Sequence, residues 1–259
     1  NVHSGRADLY ASVWGSFGSD RTITDEQTLY NVADKSLNAH SEMKGRTRSF
    51  GASAGTVVEI APRHSIGAEL EYWRNRDGEP NDTYTDFRTA DETVRTESRF
   101  DNRNHRDNYS ATFNYIWKID TLGSQFKLIA DYTRYTSDGD NSYHTTTCAP
   151  GTLRDSLYKS ATGSVYDILT ADAGLTRKLP HGLTLRAGLR YTRNDMADKS
   201  RYAAQTQGTW LALPEYSYDQ HYTEQIGAAY ASLEYSAGRW ELSAGLRGEY
   251  TSVASQAFG

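Results

Sequence analysis

The sequence predicts an all-β chain, an antiparallel up-and-down meander of about nine strands. Three observations lead there. The first is alternation at period two. Leu183, Leu185, Ala187, Leu189 and Tyr191 alternate with Thr184, Arg186, Gly188 and Arg190. Trp240, Leu242, Ala244, Leu246 and Tyr250 alternate with Glu241, Ser243, Gly245, Arg247 and Glu249. A strand turns successive side chains to opposite faces, so one face here is apolar and the other charged. The second is composition: 19 Tyr, 5 Trp and 7 Phe against 5 Pro and 2 Met, a bias toward strand-forming residues. The third is the rhythm of the turns, short and long by alternation.

Taken in order, Leu9, Ala11, Val13, Gly15 and Phe17 mark the apolar face of a first strand, and a long polar stretch follows from Gly18 to Arg46. Phe50, Ala52, Ala54, Thr56, Val58 and Ile60 form a second alternating set, closed by a tight turn at Ala61-Pro62-Arg63-His64. Proline suits that turn and not a paired central strand. Ile66, Ala68, Leu70 and Tyr72 then face one way and Glu69 and Glu71 the other. The run from Arg74 to Asp107 is strongly charged, with turn residues expected at Asp77–Asp82.

Tyr109, Ala111, Phe113, Tyr115, Trp117 and Ile119 resume the alternation up to a short turn at Asp120–Ser124. Phe126, Leu128, Ala130 and Tyr132 continue it, and Ser137 to Thr162 is another long polar connection. Leu169, Ala171, Ala173, Leu175 and Leu179 lead to the Pro180-His181-Gly182 turn and the Leu183 strand. After a polar stretch from Asn194 to Tyr222, residues Gln225 to Tyr235 form a strand whose period is blurred at Ala228–Ala231. A β-bulge would account for that blur. Ala237-Gly238 turns into the Trp240 strand.

Short turns thus recur every 55–60 residues or so, with polar connections of roughly 25–30 residues between them, some of them strands that extend further. A soluble domain has mostly short connections. Short turns at one end and long loops at the other characterise transmembrane barrels of bacterial outer membranes, with the short turns periplasmic and the long loops extracellular. The mean hydropathy of -0.73 fits such a barrel, because only alternate residues over about 9–11 per strand face lipid. No run of 18 apolar residues exists, so no transmembrane helix is predicted. The expected localisation is the outer membrane of a Gram-negative bacterium. The rival reading is a soluble β-sandwich serving as a surface-binding or adhesin module, whose apolar faces would meet a second sheet.

Other classes find little support. The net charge is -5 with both signs interspersed, and no basic stripe carries aromatics, so no nucleic-acid partner is expected. Cys148 is alone, and the seven His have no paired ligand spacing, so neither a disulfide framework nor a metal site is expected. No cofactor motif is present. Gly51-Ala52-Ser53-Ala54-Gly55 matches the nucleophile-elbow pattern, but that elbow needs a strand–turn–helix setting and no helix follows. No catalytic residue is assigned, and the chain is read as a non-enzyme. Asp138-Gly139-Asp140-Asn141-Ser142 offers oxygen ligands without EF-hand spacing and is read as a solvated loop tip. Asn1 to Asp8 lacks the apolar core of a signal peptide; an exported protein would be represented by a processed or shortened chain.

Under the barrel reading Glu69, Glu71, Arg186, Arg190, Arg247 and Glu249 are lumen-facing candidates, expected chiefly to pair within a wet lumen. Leu185, Leu189, Leu242 and Leu246 are lipid-facing candidates. Trp117, Tyr235 and Trp240 lie beside short turns, and Tyr191 and Tyr250, with Tyr109 and Tyr132, near the opposite strand ends. Two aromatic levels are what interface girdles produce.

The last strands also carry a resemblance. Tyr222, Glu224, Ile226, Ala228 and Tyr230, then Gly238-Arg239-Trp240, then Gly245-Leu246-Arg247-Gly248-Glu249-Tyr250-Thr251, are similar to the outer-membrane β-barrel of TonB-dependent receptors. Gly248 stands where that family often has Tyr. The Asn114-Tyr115 and Ala130–Tyr135 strands are similar to family positions too. The resemblance implies uptake of a scarce extracellular ligand, with a plug domain and the TonB system as partners of the full-length protein. No plug, TonB-contacting segment or set of final barrel strands is matched. Residues 1–259 are therefore expected to form part of a barrel, an open curved sheet whose Leu9 and Trp240 strands border further strands.

Overall fold

The computed structural model describes residues 2–31 and 34–258. Its strands are β1 (Val2–Ser4), β2 (Ala7–Tyr30), β3 (Lys35–Ala61), β4 (His64–Gly78), β5 (Asn81–Arg88), β6 (Thr93–Lys118), β7 (Gln125–Ala149), β8 (Thr152–Lys178), β9 (Leu183–Thr206), β10 (Thr209–Ala212), β11 (Tyr218–Ala237) and β12 (Trp240–Phe258), with one 3-10 turn at Pro214–Tyr216. All strands join one antiparallel sheet in the order β1-β2-β3-β4-β6-β7-β8-β9-β11-β12. β10 adds to the end of β9, and β5 continues the line of β4 between β3 and β6. Each expected alternating set lies in its own strand. Among the described residues no ladder joins β12 to β1 or β2, so the sheet is open between those edges. Among the described residues no second sheet packs on it, and strands touch their ladder neighbours. The sandwich reading lacks its second layer.

Rungs of paired residues cross the sheet. One rung runs Leu9, Thr56, Ala68, Phe113, Ala130, Ala171, Tyr191, Gly227, Tyr250. Paired residues share a face, so the apolar sets of all nine long strands lie on one face and their polar alternates on the other. Register fixes this outcome, because a slip of one residue would exchange the faces.

The short turns do not line up along the rungs. Measured from the Leu9 rung, the last paired residues before successive short turns are Ala7, His64, Lys118, Lys178 and Ala237. They lie two, four, five, seven and ten residues beyond it, a drift of eight residues over the eight strand steps from the β1–β2 turn to the β11–β12 turn. One residue per strand, at a rise of about 3.3 Å and a strand spacing of about 4.8 Å, tilts the strands by about 35° to the normal of the turn line. Strands must tilt by a similar angle to close a barrel.

The apolar band drifts in step. On the apolar face the first charged residue towards the long end is Arg48 on β3, Arg74 on β4, Arg134 on β7 and Arg193 on β9, each closer to the Leu9 rung than the one before or level with the drift. What remains between charge and short turn is His64–Tyr72, Tyr109–Trp117 and Leu183–Tyr191, and the unbroken alternation of β12 runs over Trp240–Tyr250. Such lengths match the roughly 9–11 residues a tilted strand needs to cross a membrane.

Several expectations are corrected. Among the described residues the long polar connections are mostly strand, with non-strand tips at 89–92, 150–151, 207–208 and 213–217. Their alternation is hidden because both faces are polar; cross-strand pairs hold them instead. Arg95 makes two bonds to Asp86 at 2.8 and 3.0 Å, Arg21 Nε donates to Glu42 at 2.6 Å, and Phe100 stacks on Tyr143 at 4.6 Å. The stacked ring pair contributes about 0.2–1 kcal/mol. Asp77–Asp82 is no chain reversal: Glu79 and Pro80 merely interrupt the line from β4 to β5, where proline has no N–H for the ladder. Asp138–Ser142 sits inside β7 and not at a loop tip. β11 carries no bulge, since its registers with β9 and β12 are unbroken. The register shift lies instead at Glu59/Ala61, beside the Pro62 turn, where Arg63 has φ 73°.

Candidate functional site

The polar face is the more enclosed one. Small residues there, Gly51, Gly67, Thr184 and Ala228, are buried, while Leu70, Leu189 and Leu246 on the apolar face are 65, 63 and 85% exposed. Larger side chains roof the small ones. A Cβ on Gly51 would overlap the Trp14 indole, and one on Gly55 the Tyr10 ring. Glycine is required at both positions by this close approach.

The lumen-facing candidates share this face, but they do not form one cluster. Arg247 Nη2 donates to Glu249 at 2.7 Å. Arg186 forms a two-pronged pair with Glu234 at 2.9 and 3.2 Å. Glu69 accepts from the Tyr10 hydroxyl at 3.0 Å. Arg190 has Asp172 and Ala228 as rung neighbours, and Glu71 has Ser53 and Ser110. Neither Arg190 nor Glu71 makes an ion pair among the described residues. Further along, the Thr112 hydroxyl donates to Asp131 at 2.8 Å and Asn194 to Glu224 at 2.8 Å. Sequence reasoning missed Tyr10, Asp131 and Glu234, whose role is set by which strand lies beside them. It also missed the rings on this face, because aromatics were counted only on the apolar side.

Ser53 lies within β3, with its Oγ 2.7 Å from Ser12 Oγ on β2. Its Gly-x-Ser-x-Gly setting is straight strand under two aromatic rings. In Asp138–Ser142 successive side chains alternate between faces, so they do not converge on one point.

On the apolar face Leu185, Leu189, Leu242 and Leu246 share a surface with the aromatic candidates. Trp117 lies beside the β6–β7 turn and Tyr235 and Trp240 beside the β11–β12 turn, and Trp117 stacks on His64 at 5.7 Å. Tyr191 and Tyr250 share the Leu9 rung at the other edge of the band. Tyr132 lies one step further and Tyr72 and Tyr109 two steps, their rings 4.9 Å apart. Each of Tyr72, Tyr132 and Tyr191 comes just before the first charged residue that its strand carries on the apolar face: Arg74, Arg134, Arg193. The two aromatic levels therefore follow the drift of the turns.

The family model described as "Outer membrane protein beta-barrel family" matches residues 117–257, more than half of the chain. No curated protein matches. Among solved structures, the alcaligin outer-membrane receptor FauA from Bordetella pertussis is 9% identical, with 98% of this chain and 76% of that one covered and a TM-score of 0.13. The siderophore receptor PirA from Pseudomonas aeruginosa is 11% identical, covering 99% and 74%, with a TM-score of 0.16. The transport unit of the autotransporter AIDA-I from Escherichia coli is 11% identical, covering 93% and 89%, with a TM-score of 0.21. By its strands, its turns and its match over residues 117–257, the chain belongs to the outer membrane protein beta-barrel family and resides in the outer membrane of a Gram-negative bacterium.

Proposed function

We propose that these residues are part of the barrel of a TonB-dependent receptor, which takes up a scarce ligand across the outer membrane and catalyses no reaction. The observation that carries the reading is the β11–β12 hairpin. Six of its receptor-like residues pair on the polar face, Tyr230 opposite Arg247, Ala228 opposite Glu249 and Ile226 opposite Thr251, while Trp240, Leu246 and Tyr250 lie on the apolar face. In this reading the apolar face meets lipid, with Leu185, Leu189, Leu242 and Leu246 in the acyl region and Trp117, Tyr235, Trp240, Tyr191 and Tyr250 at its two borders. The polar face lines the lumen around a plug, and Glu69, Arg186 and Arg247 serve as paired wall charges. Further strands border β2 and β12, whose free edges hydrocarbon would not tolerate.

The test is a pull-down of the full gene product from solubilised membranes with the periplasmic domain of TonB. Retention is expected, and it should be lost when the plug-domain segment that contacts TonB is deleted. A full-length protein without a plug, or with no retention, would leave a passive barrel instead.

A further inference from the structure

One rung of the polar face is unlike its neighbours. Five of its nine positions are aromatic: Trp14, Trp73, Tyr135, Tyr166 and Tyr222, on β2, β4, β7, β8 and β11. Met196 fills the position between the last two. The rings are near one another, with Trp73 and Tyr135 6.2 Å apart and Tyr135 and Tyr166 5.9 Å. Trp14 lies across the bare backbone of Gly51 and is 45% exposed.

The polar-face rungs on either side hold no aromatic residue. On one side stand Ser12, Ser53, Ser110 and Thr133; on the other, Ser49, Ser137 and Ser164 with Asn75 and Asp198. Asn75 Oδ1 and Asp198 Oδ1 have no hydrogen-bond partner among the described residues. Aromatic rings on a wet wall cost apolar exposure, and an exposed apolar patch rimmed by polar groups marks a binding surface.

We propose that this aromatic rung binds a neutral polyhydroxylated ligand, an oligosaccharide, at the outer mouth of the lumen. A pyranose ring has an apolar C–H face and a rim of hydroxyls. The C–H face packs on indole and phenol rings, and the hydroxyls exchange bonds with the serines, Asn75 and Asp198 on either side. Charge argues against an anionic ligand: the two flanking rungs hold Glu71, Glu224 and Asp198 against Arg106 alone. Position argues for a first contact from outside. Trp73 stands next to Arg74, at the long-end border of the apolar band, and the drift of the band leaves Tyr222 progressively beyond it. The proposal rests on the luminal assignment of the polar face made above.

The experiment separates the two. In lipid nanodiscs, a variant of the full-length receptor with Trp73 as sole tryptophan is exposed first to brominated acyl chains. No quenching is expected; strong quenching would overturn the luminal assignment. The full-length receptor that carries these residues, in the same nanodiscs, is then titrated with maltohexaose, cellohexaose and chitohexaose by calorimetry. Saturable binding of at least one is expected, weakened about tenfold or more by Trp73→Ala and within about threefold by Trp73→Phe. Asn75→Ala should weaken it as well. No saturation up to about 10 mM with any of the three, or binding indifferent to Trp73→Ala, would overturn the oligosaccharide site while leaving the luminal face intact.

Discussion

Tyr230 lies across Gly188 on the neighbouring strand: a Cβ on Gly188 would overlap the Tyr230 ring, and its hydroxyl reaches towards Gly174 one strand further. Three strands of the polar face are thereby fitted to one side chain. Gly188→Ala should destabilise the sheet by about 1–3 kcal/mol, the usual cost of overpacking. Made on a Tyr230→Ala background, the same change should cost much less, since the ring it strikes is gone. Urea unfolding in lipid vesicles measures both. Equal costs on the two backgrounds would mean that the ring and the glycine are uncoupled.

The facing assignment predicts unequal costs for adjacent residues on β9. Leu189 is 63% exposed on the apolar face, and Arg190 stands beside Asp172 on the polar one. Leu189→Arg, midway between the centre of the band at Ala187 and its border at Tyr191, should cost about 1–3 kcal/mol, and Arg190→Leu well under that. The reverse order would exchange lipid and lumen.

Much of this was legible in the sequence because a barrel strand needs only period-two alternation, and residues 183–191 and 240–250 supply it without a break. Short turns were legible through Pro62, Pro180 and Gly238. The extensions beyond the band were not, because Arg95–Asp86 or Phe100–Tyr143 is a pair only once two strands are in register. The same limit hid the polar-face rings. Trp14 and Trp73 are distant in sequence and separated by one strand in the sheet, with Gly51 between them on the rung. β11 misled for a different reason: Ala228 and Tyr230 are apolar letters on the polar face, so its alternation blurs while its register is regular.

Topology can be read on intact cells. Cys148 is exposed and lies next to the β7–β8 tip at Pro150-Gly151. A membrane-impermeant maleimide should label it in whole cells. In a Cys148→Ser background, Leu122→Cys at the β6–β7 short turn should be labelled only after the outer membrane is opened. Leu122 is the better site than Gly123, whose φ of 99° disfavours any side chain. Label at Leu122→Cys on intact cells, with none at Cys148, would invert the orientation.

The outer ribbons should be acid-sensitive in a defined direction. Hydrogen bonds from Arg95 hold the Asp86 carboxyl below its ordinary range; Lys44 and Arg21 do the same for Glu42, His144 and Thr146 for Asp155, and Arg201 for Asp219. All four lie beyond the apolar band. A carboxyl whose folded pKa is depressed adds stability that is fully present above its unfolded pKa, about 4, and is lost as pH falls through the folded value. Protection of ribbon amides from hydrogen exchange should therefore hold from neutral pH down to about 4 and fall below it, once rates are corrected for intrinsic pH dependence. The band, held by its ladder and its surroundings, should keep its protection through the same range. Replacing Asp86 by Asn should flatten the acid response of the β5–β6 ribbon and leave the β7–β8 ribbon unchanged. A ribbon whose protection fell instead between pH 7 and 5 would be governed by histidine charge and not by these carboxylates.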